Sequence, residues 1–232
     1  MSSHKQIYRN QADAYEYMIG RQPEVLPWIE EIRPVEGLDI LDLGAGSGRI
    51  AGVVADRAKS LVCTDASAQM LELLNRKLTA KGTARTWRTI EADHRKLPIP
   101  DRSVDLAVSG WSICYLADSD LEEWERNLKT VMAELERVLR PGGTIIVFET
   151  MGTGTETPDP PGFLTSYYEA LERDYGFGHR TVRMDYDFAD VEEAKACTGF
   201  FFGEELTEKI ERNGWATVPE CAGIWWKTIG EA

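Results

Sequence analysis

Three glycines at alternate positions, Gly44, Gly46 and Gly48, follow directly on the apolar run Ile40-Leu41-Asp42-Leu43, and a helical pattern begins near Ser47. Glycine at such a turn lets the backbone approach a ligand closely, and the N-terminus of the next helix offers free N–H groups to an anion. A further carboxylate, Asp65, ends the next apolar run, Ser60-Leu61-Val62-Cys63-Thr64. A nucleotide-binding α/β fold places there the acid that accepts hydrogen bonds from ribose hydroxyls. The same aspartate can instead cap the following helix, since Asp is a good N-cap. A dinucleotide fingerprint requires G-x-G-x-x-G, and Arg49 stands where its third glycine belongs.

Groups able to take a proton near this site are His94, Tyr115, Glu149 and His179. His94 reads as a surface turn residue and His179 as a loop residue, so no catalytic base is assigned. Cys63, Cys114, Cys197 and Cys221 are scattered without a C-x-x-C pair, and the three histidines are isolated. That spacing predicts reduced thiols in a cytoplasmic protein and no metal site.

The elements that position these residues alternate. Residues 7–33 have helical spacing interrupted by Pro23, and Pro34 with Gly37 ends it. Strands are predicted at 38–43, 60–64, 86–90, 104–108 and 144–148. A helix passes through Met70, Leu71, Leu74 and Leu78 and stops at Gly82. Leu121, Trp124, Leu128, Val131, Met132, Leu135, Val138 and Leu139 recur every three or four residues, the signature of an amphipathic helix, which Arg140-Pro141-Gly142-Gly143 halts. Strands alternating with helices imply a parallel sheet with right-handed crossovers.

Beyond the fifth strand the pattern breaks. Glycine and proline dominate 151–162, which reads as a loop, and ten aromatic residues fall between Phe163 and Phe202. A helix over 204–212 precedes two final strands, 215–218 and 223–229, parted by Pro219 and expected to form a hairpin edge. The whole chain, 1–232, is read as one domain with an N-terminal helical cap at 1–36 and a substrate-side insertion at 151–203.

With 232 residues, 43% hydrophobic and 28% charged, the composition is that of a globular protein with one full core. A net charge of −13 makes nucleic acid a poor partner. No apolar run approaches the roughly 20 residues needed to span a bilayer. The opening residues, Met1-Ser2-Ser3-His4-Lys5-Gln6, lack a secretory h-region, so a cytoplasmic location without membrane insertion is expected. The association state is expected to be monomer or homodimer.

The order of these motifs resembles that of the class I S-adenosylmethionine (SAM) dependent methyltransferases, especially the branch sharing a domain with ubiquinone and menaquinone C-methyltransferases. The resemblance covers roughly 38–150 and 204–230. It implies SAM as cofactor, S-adenosylhomocysteine (SAH) as product, and a doubly wound, Rossmann-like α/β fold. That fold has seven mostly parallel strands, an antiparallel terminal hairpin and helices on both faces. By the same resemblance Gly44, Ala45 and Gly46 face the methionine part of SAM, and Asp42 helps to hold its amino group. Asp65 binds the ribose diol, with Ala66 and Met70 beside the adenine. Ala92, Asp93 and His94 match the segment whose aspartate receives the adenine amino group, and Ser109 and Trp111 lie beside the methionine. Tyr8 and Tyr15 match aromatic positions that close over the cofactor, or serve helix packing.

The acceptor is expected to be a small molecule chosen by the 151–203 insertion. Tyr115 and Trp111 follow the fourth strand and are expected to line the cleft, core packing being the alternative for Trp111. Tyr167, Tyr168 and Phe201 are candidates for an apolar acceptor pocket, or members of a mini-core. The acidic residues Asp185, Asp187, Glu192 and Glu193 suit either a cationic amine or a solvated face. The rival functions are a SAM-binding sensor or inactive partner without transfer, and a nicotinamide-dependent oxidoreductase, which Arg49 disfavours. An N-P-P-Y/F tetrapeptide of amino-methylating DNA enzymes is absent, the fourth strand running instead into Ser109-Gly110-Trp111-Ser112. No acidic triad for a catechol-type metal is matched.

Overall fold

The strand carrying Asp42 is buried at every position. This strand, β1 (Asp39–Leu43), lies between β2 (Ser60–Asp65) and β4 (Val104–Gly110), parallel to both, with Leu41 opposite Val62 on one side and Ala107 on the other. Strands enclosed on both faces usually read as continuous apolar runs, and β1 departs from this by burying Asp39 and Asp42. The computed structural model describes residues 11–82 and 86–230. Tyr8 lies outside the described residues.

One sheet holds seven strands in the order β3-β2-β1-β4-β5-β9-β6, and β3 (Thr86–Glu91) pairs in parallel with β2. The chain moves outward from β1 in one direction to β2 and β3, and in the other to β4 and β5 (Leu139–Thr153). That reversal opens a crevice at the carboxyl ends of β1 and β4, the ligand position of open α/β sheets. The strand β9 (Glu220–Thr228) runs opposite to β5, since the N–H of Gly142 bonds Ile229 O at 3.0 Å and the N–H of Ile229 bonds Gly143 O at 2.8 Å. Its other neighbour is β6 (Gly178–Arg183), from a stretch expected to be insertion. Thr217–Val218, expected to form a hairpin with β9, is instead β8 and pairs antiparallel with β7 (Tyr186–Asp187) in a separate two-stranded sheet.

The helices follow local chemistry. In order they are α1 (Ala12–Ile19), α2 (Leu26–Ile32), α3 (Ala51–Val54), α4 (Ala68–Lys81), α5 (Cys114–Ala117), α6 (Trp124–Val138), α7 (Gly162–Arg173), α8 (Val191–Phe202) and α9 (Glu204–Asn213). The α4 helix is capped by Ser67, whose hydroxyl accepts the Met70 N–H, and closed by Gly82 at φ +68°. The α6 helix buries Leu128, Val131, Met132, Leu135 and Val138, as its spacing predicts. It passes into β5 at Leu139, sooner than the expected start at 144, because residues 140–143 arch out of register: Val104 faces Leu139 while Leu106 faces Thr144. The strand also continues to Thr153, through the first residues of the expected loop. The helix expected from Ser47 starts only at Ala51, since Gly46 at φ +52° and Gly48 at φ +96° hold the preceding residues in turns.

Two compact units divide the chain: one comprises Met1–Glu24, Thr150–Pro161 and Thr181–Gly223, the other Val25–Glu149, Gly162–Arg180 and Ile224–Ala232. The sheet unit has Leu41, Leu43, Leu74, Leu106, Ile146, Phe148 and Trp225 in its core. The smaller unit packs Met18, Ile19, Tyr186, Phe188, Leu206, Ile210 and Val218 with Tyr15, Phe201 and Phe202 around them. The aromatics of 163–203 are therefore shared, Tyr167, Tyr168 and Phe177 belonging to the sheet unit and Tyr186, Phe188 and Phe200–Phe202 to the smaller one.

Candidate functional site

The loop 44–48 turns its N–H groups inward. Those of Gly44 and Ala45 both bond Thr64 O, at 2.8 and 2.9 Å, and that of Gly46 bonds Asp65 Oδ2 at 2.9 Å. The N–H of Gly48 bonds Ala45 O at 2.8 Å, and the N–H of Ala51, where α3 begins, bonds Asp42 Oδ2 at 2.9 Å. These five donors are engaged within the fold, and α3 is a single turn.

Asp42 is fully buried, and its Oδ1 has no hydrogen-bond partner among the described residues. Burial pushes its carboxyl up to about 7, against the bond from Ala51 N–H and with the negative charge of Asp65 adding to the shift. Asp65 ends β2 half-buried, with Oδ1 taking the Ser67 N–H at 2.8 Å. The helix cap is Ser67, so Asp65 is an edge carboxylate and not the cap of α4. Ala66 is exposed, while Met70 is buried with its methyl end against Gly46.

In the segment after β3, Asp93 is exposed and clasped by Arg95, Nε to Oδ1 at 2.9 Å and Nη2 to Oδ2 at 2.6 Å. The guanidinium holds the Asp93 carboxyl down to about 2. Its neighbour His94, expected in a surface turn, is buried, because its ring fills the space beside Gly44. His94 Nε2 lies 2.6 Å from Ser112 Oγ, and burial lowers the imidazole pKa. A Cβ built on Gly44, at φ +73°, would overlap the Ser112 hydroxymethyl group and approach His94 Nε2 to 3.1 Å. Ala92 joins this segment to β2 through its N–H on Asp65 O at 2.9 Å.

Ser109 is buried on β4, between Leu43 and Val147 in register. Trp111 adopts φ +52°, a strained conformation for so bulky a residue. It is held there by its N–H on Phe148 O at 2.7 Å, by the Phe148 ring at 5.9 Å and by the Arg49 guanidinium 3.9 Å above its own ring. Tyr115 is exposed on α5. Glu149, the residue after Phe148 within β5, is fully buried and accepts the Cys114 N–H at 3.1 Å and the Tyr167 hydroxyl at 3.4 Å. Burial pushes its carboxyl up to about 7, against those two donors.

Tyr167 and Tyr168 lie in the core of the sheet unit, 5.3 Å apart, with Tyr168 stacked on Trp225 at 4.5 Å. Tyr15 and Phe201 meet in the smaller unit at 5.3 Å. Within the sheet unit the structure gathers Asp42, the glycine loop, Asp65, Met70, Ala92, His94, Ser109 and Trp111 along one strand edge. Ser112 and Cys114 also belong to this edge and carried no motif of their own. Among the described residues no group of three or more His, Cys, Asp or Glu side chains is placed to hold a metal ion. No helix among them is long and apolar enough to cross a membrane.

The profile of the Methyltransferase domain family matches residues 41–147. The chain is 33% identical over 128 residues to the ubiquinone/menaquinone biosynthesis C-methyltransferase UbiE of Coxiella burnetii, covering 52% of this chain and 46% of that protein. It is 29% identical over 130 residues to the sterol 4-C-methyltransferase strm-1 of Caenorhabditis elegans, covering 56% and 36%. The chain spans half or less of the length of the relatives it matches. In fold it is similar to a SAM-dependent methyltransferase from Aquifex aeolicus, with a TM-score of 0.58 at 17% identity over 93% of this chain and 96% of that one.

Proposed function

We propose that the chain carries a class I SAM-dependent methyltransferase domain and transfers the methyl group of SAM to a small-molecule acceptor, a reading the matched family and relatives support. The observation that carries this reading is the glycine loop whose Gly44, Ala45, Gly46 and Gly48 N–H groups are engaged internally beside the half-buried Asp65. A dinucleotide's pyrophosphate needs those N–H groups free. SAM has no phosphate; it brings an ammonium, a sulfonium, an α-carboxylate and an adenosine. The positive-φ glycines admit its methionine part closely, Asp65 receives the ribose diol, and the cationic centres meet an edge rich in carboxyls. Ala66 and Met70 border the adenine, with Ala92 and Asp93 at its polar rim. Asp42 acts through the loop, holding the Ala51 N–H, and an ammonium bound nearby would favour its ionised form.

When bound, SAM supplies an electrophilic methyl group on a sulfonium leaving group. The protein's part is alignment: transfer needs the attacking atom in line with the S–CH3 bond at roughly 3–3.5 Å. Trp111 and Tyr115, just beyond the carboxyl end of β4, are assigned to the acceptor side, with Tyr167 and Tyr168 of the same unit behind them. The test is transfer of a labelled methyl group from SAM into the small-molecule fraction of a cell extract. A labelled product made by the wild-type protein and not by Asp65→Ala is expected. Binding of SAM with no labelled product would leave a SAM-binding protein without transfer activity.

A further inference from the structure

Ser112 and His94 form a pair that the methyltransferase resemblance does not call for. Ser112 sits just past β4 and is only half-buried, with its hydroxymethyl group against Gly44 of the loop assigned to the methyl donor. Behind it His94 is buried, with Nε2 at 2.6 Å from the serine oxygen. The groups that act electrostatically on this imidazole are Asp65 and Asp93, which favour its protonated form, and Arg95, which opposes it. Burial outweighs them, so the resting ring is neutral and able to accept a proton. A half-buried hydroxyl beside the loop assigned to the methyl donor, within hydrogen-bond distance of a buried neutral imidazole, is placed to pass a proton to that imidazole.

Resting on the SAM reading of the site, we propose that Ser112 and His94 are the proton-accepting pair of the methyl-transfer centre, which fits this site to an acceptor whose attacking oxygen or nitrogen carries a proton. The attacking atom forms its bond to the methyl carbon as the carbon–sulfur bond breaks and its electron pair passes to sulfur, giving the neutral thioether of SAH. The proton of the attacking atom moves to Ser112 Oγ while the serine proton moves to His94 Nε2. Asp65 and Asp93 balance the imidazolium until its proton returns to solvent. This requires the serine to donate to Nε2, so the resting ring must carry its hydrogen on Nδ1.

Two measurements test the pair. Long-range 15N–1H spectra of histidine-labelled protein saturated with SAH, taken above the ordinary histidine range and assigned with His94→Gln, should show Nδ1 protonated and Nε2 bare. Ser112→Ala should shift the Nε2 signal. A proton on Nε2, or indifference to Ser112→Ala, overturns the relay. In transfer assays with labelled SAM and simple phenols and primary amines as probe acceptors, kcat should fall about a hundredfold in His94→Gln and Ser112→Ala. Ser112→Thr should restore it, and the acid limb of the pH profile should vanish with His94. Wild-type rates in either variant overturn the proposal, as does wild-type protein that methylates none of these proton-bearing probes. Failure of calorimetry to detect SAH binding would instead remove the cofactor reading, and the relay with it.

Discussion

Asp65 and Gly44 carry the most specific expectations at the scale of single residues. Asp65→Asn keeps the size of the side chain and removes its charge, so the proposed bonds to the ribose diol would lose their charge-assisted part. At about 1.5–3 kcal/mol for such a bond, SAH affinity should fall by about tenfold or more in titration calorimetry. An unchanged dissociation constant would reduce Asp65 to a staple between Gly46 and Ser67, the two backbone groups it already holds. Gly44→Ala meets two obstacles, a φ of +73° and the Ser112 side chain. A loss of about 1–3 kcal/mol in urea unfolding is expected, together with displacement of Ser112 from His94. Full stability in that variant would show that the loop relaxes easily and that its glycine is not required. Asp93 illustrates what a motif conceals: the sequence pattern points its carboxylate at a ligand, yet Arg95, two residues on, engages both oxygens. Nothing in residue spacing announces a local clasp of that kind, nor the inward turn of His94.

Among the elements, those with strong local signals were legible. The α4 helix runs between a serine cap and a left-handed glycine, and α6 shows its buried stripe in the three-four spacing of Leu128 to Val138. The strand edge bearing Asp42, Asp65 and Ser109 follows from alternating strands and helices. Lengths and partners were less legible because they depend on tertiary contacts. The stretch after Gly48 forms only one helical turn, β5 absorbs an arch that looks like a stop, and β9 takes β6 as neighbour although Thr217–Val218 is nearer in sequence. Trp111 at positive φ could not be read at all, since its support comes from Phe148 and Arg49 on other strands and loops. The Ser67 cap offers a direct check on this scale. Ser67→Ala should cost about 0.5–2 kcal/mol of unfolding free energy by frayed α4. Amide exchange should quicken at Met70 and Leu71; a loss confined to α6 would contradict the capping role.

For the whole molecule, the buried carboxyls of Asp42 and Glu149 set a dependence on pH. Both have folded values near 7, above the ordinary carboxylate range. Their favourable contribution is therefore complete below the unfolded value of about 4 and is lost as pH rises through about 7, because the folded state then binds more protons than the unfolded one. Unfolding free energy should decline across that window by up to about 1.4 kcal/mol per pH unit for each group. Glu149→Gln should flatten the decline in melts recorded at intervals of pH; curves parallel to wild type would place Glu149 outside the linkage. The division into a sheet unit and a smaller aromatic unit was hidden in the sequence, since each draws on separated segments, and 151–203 contributes to both. The central claim concerns the ligand of the glycine loop, and titration calorimetry with SAH and, separately, with NAD tests it most directly. Saturable, one-to-one binding of SAH with no heat from NAD is the predicted result. Saturable binding of NAD, with none of SAH, would contradict the account.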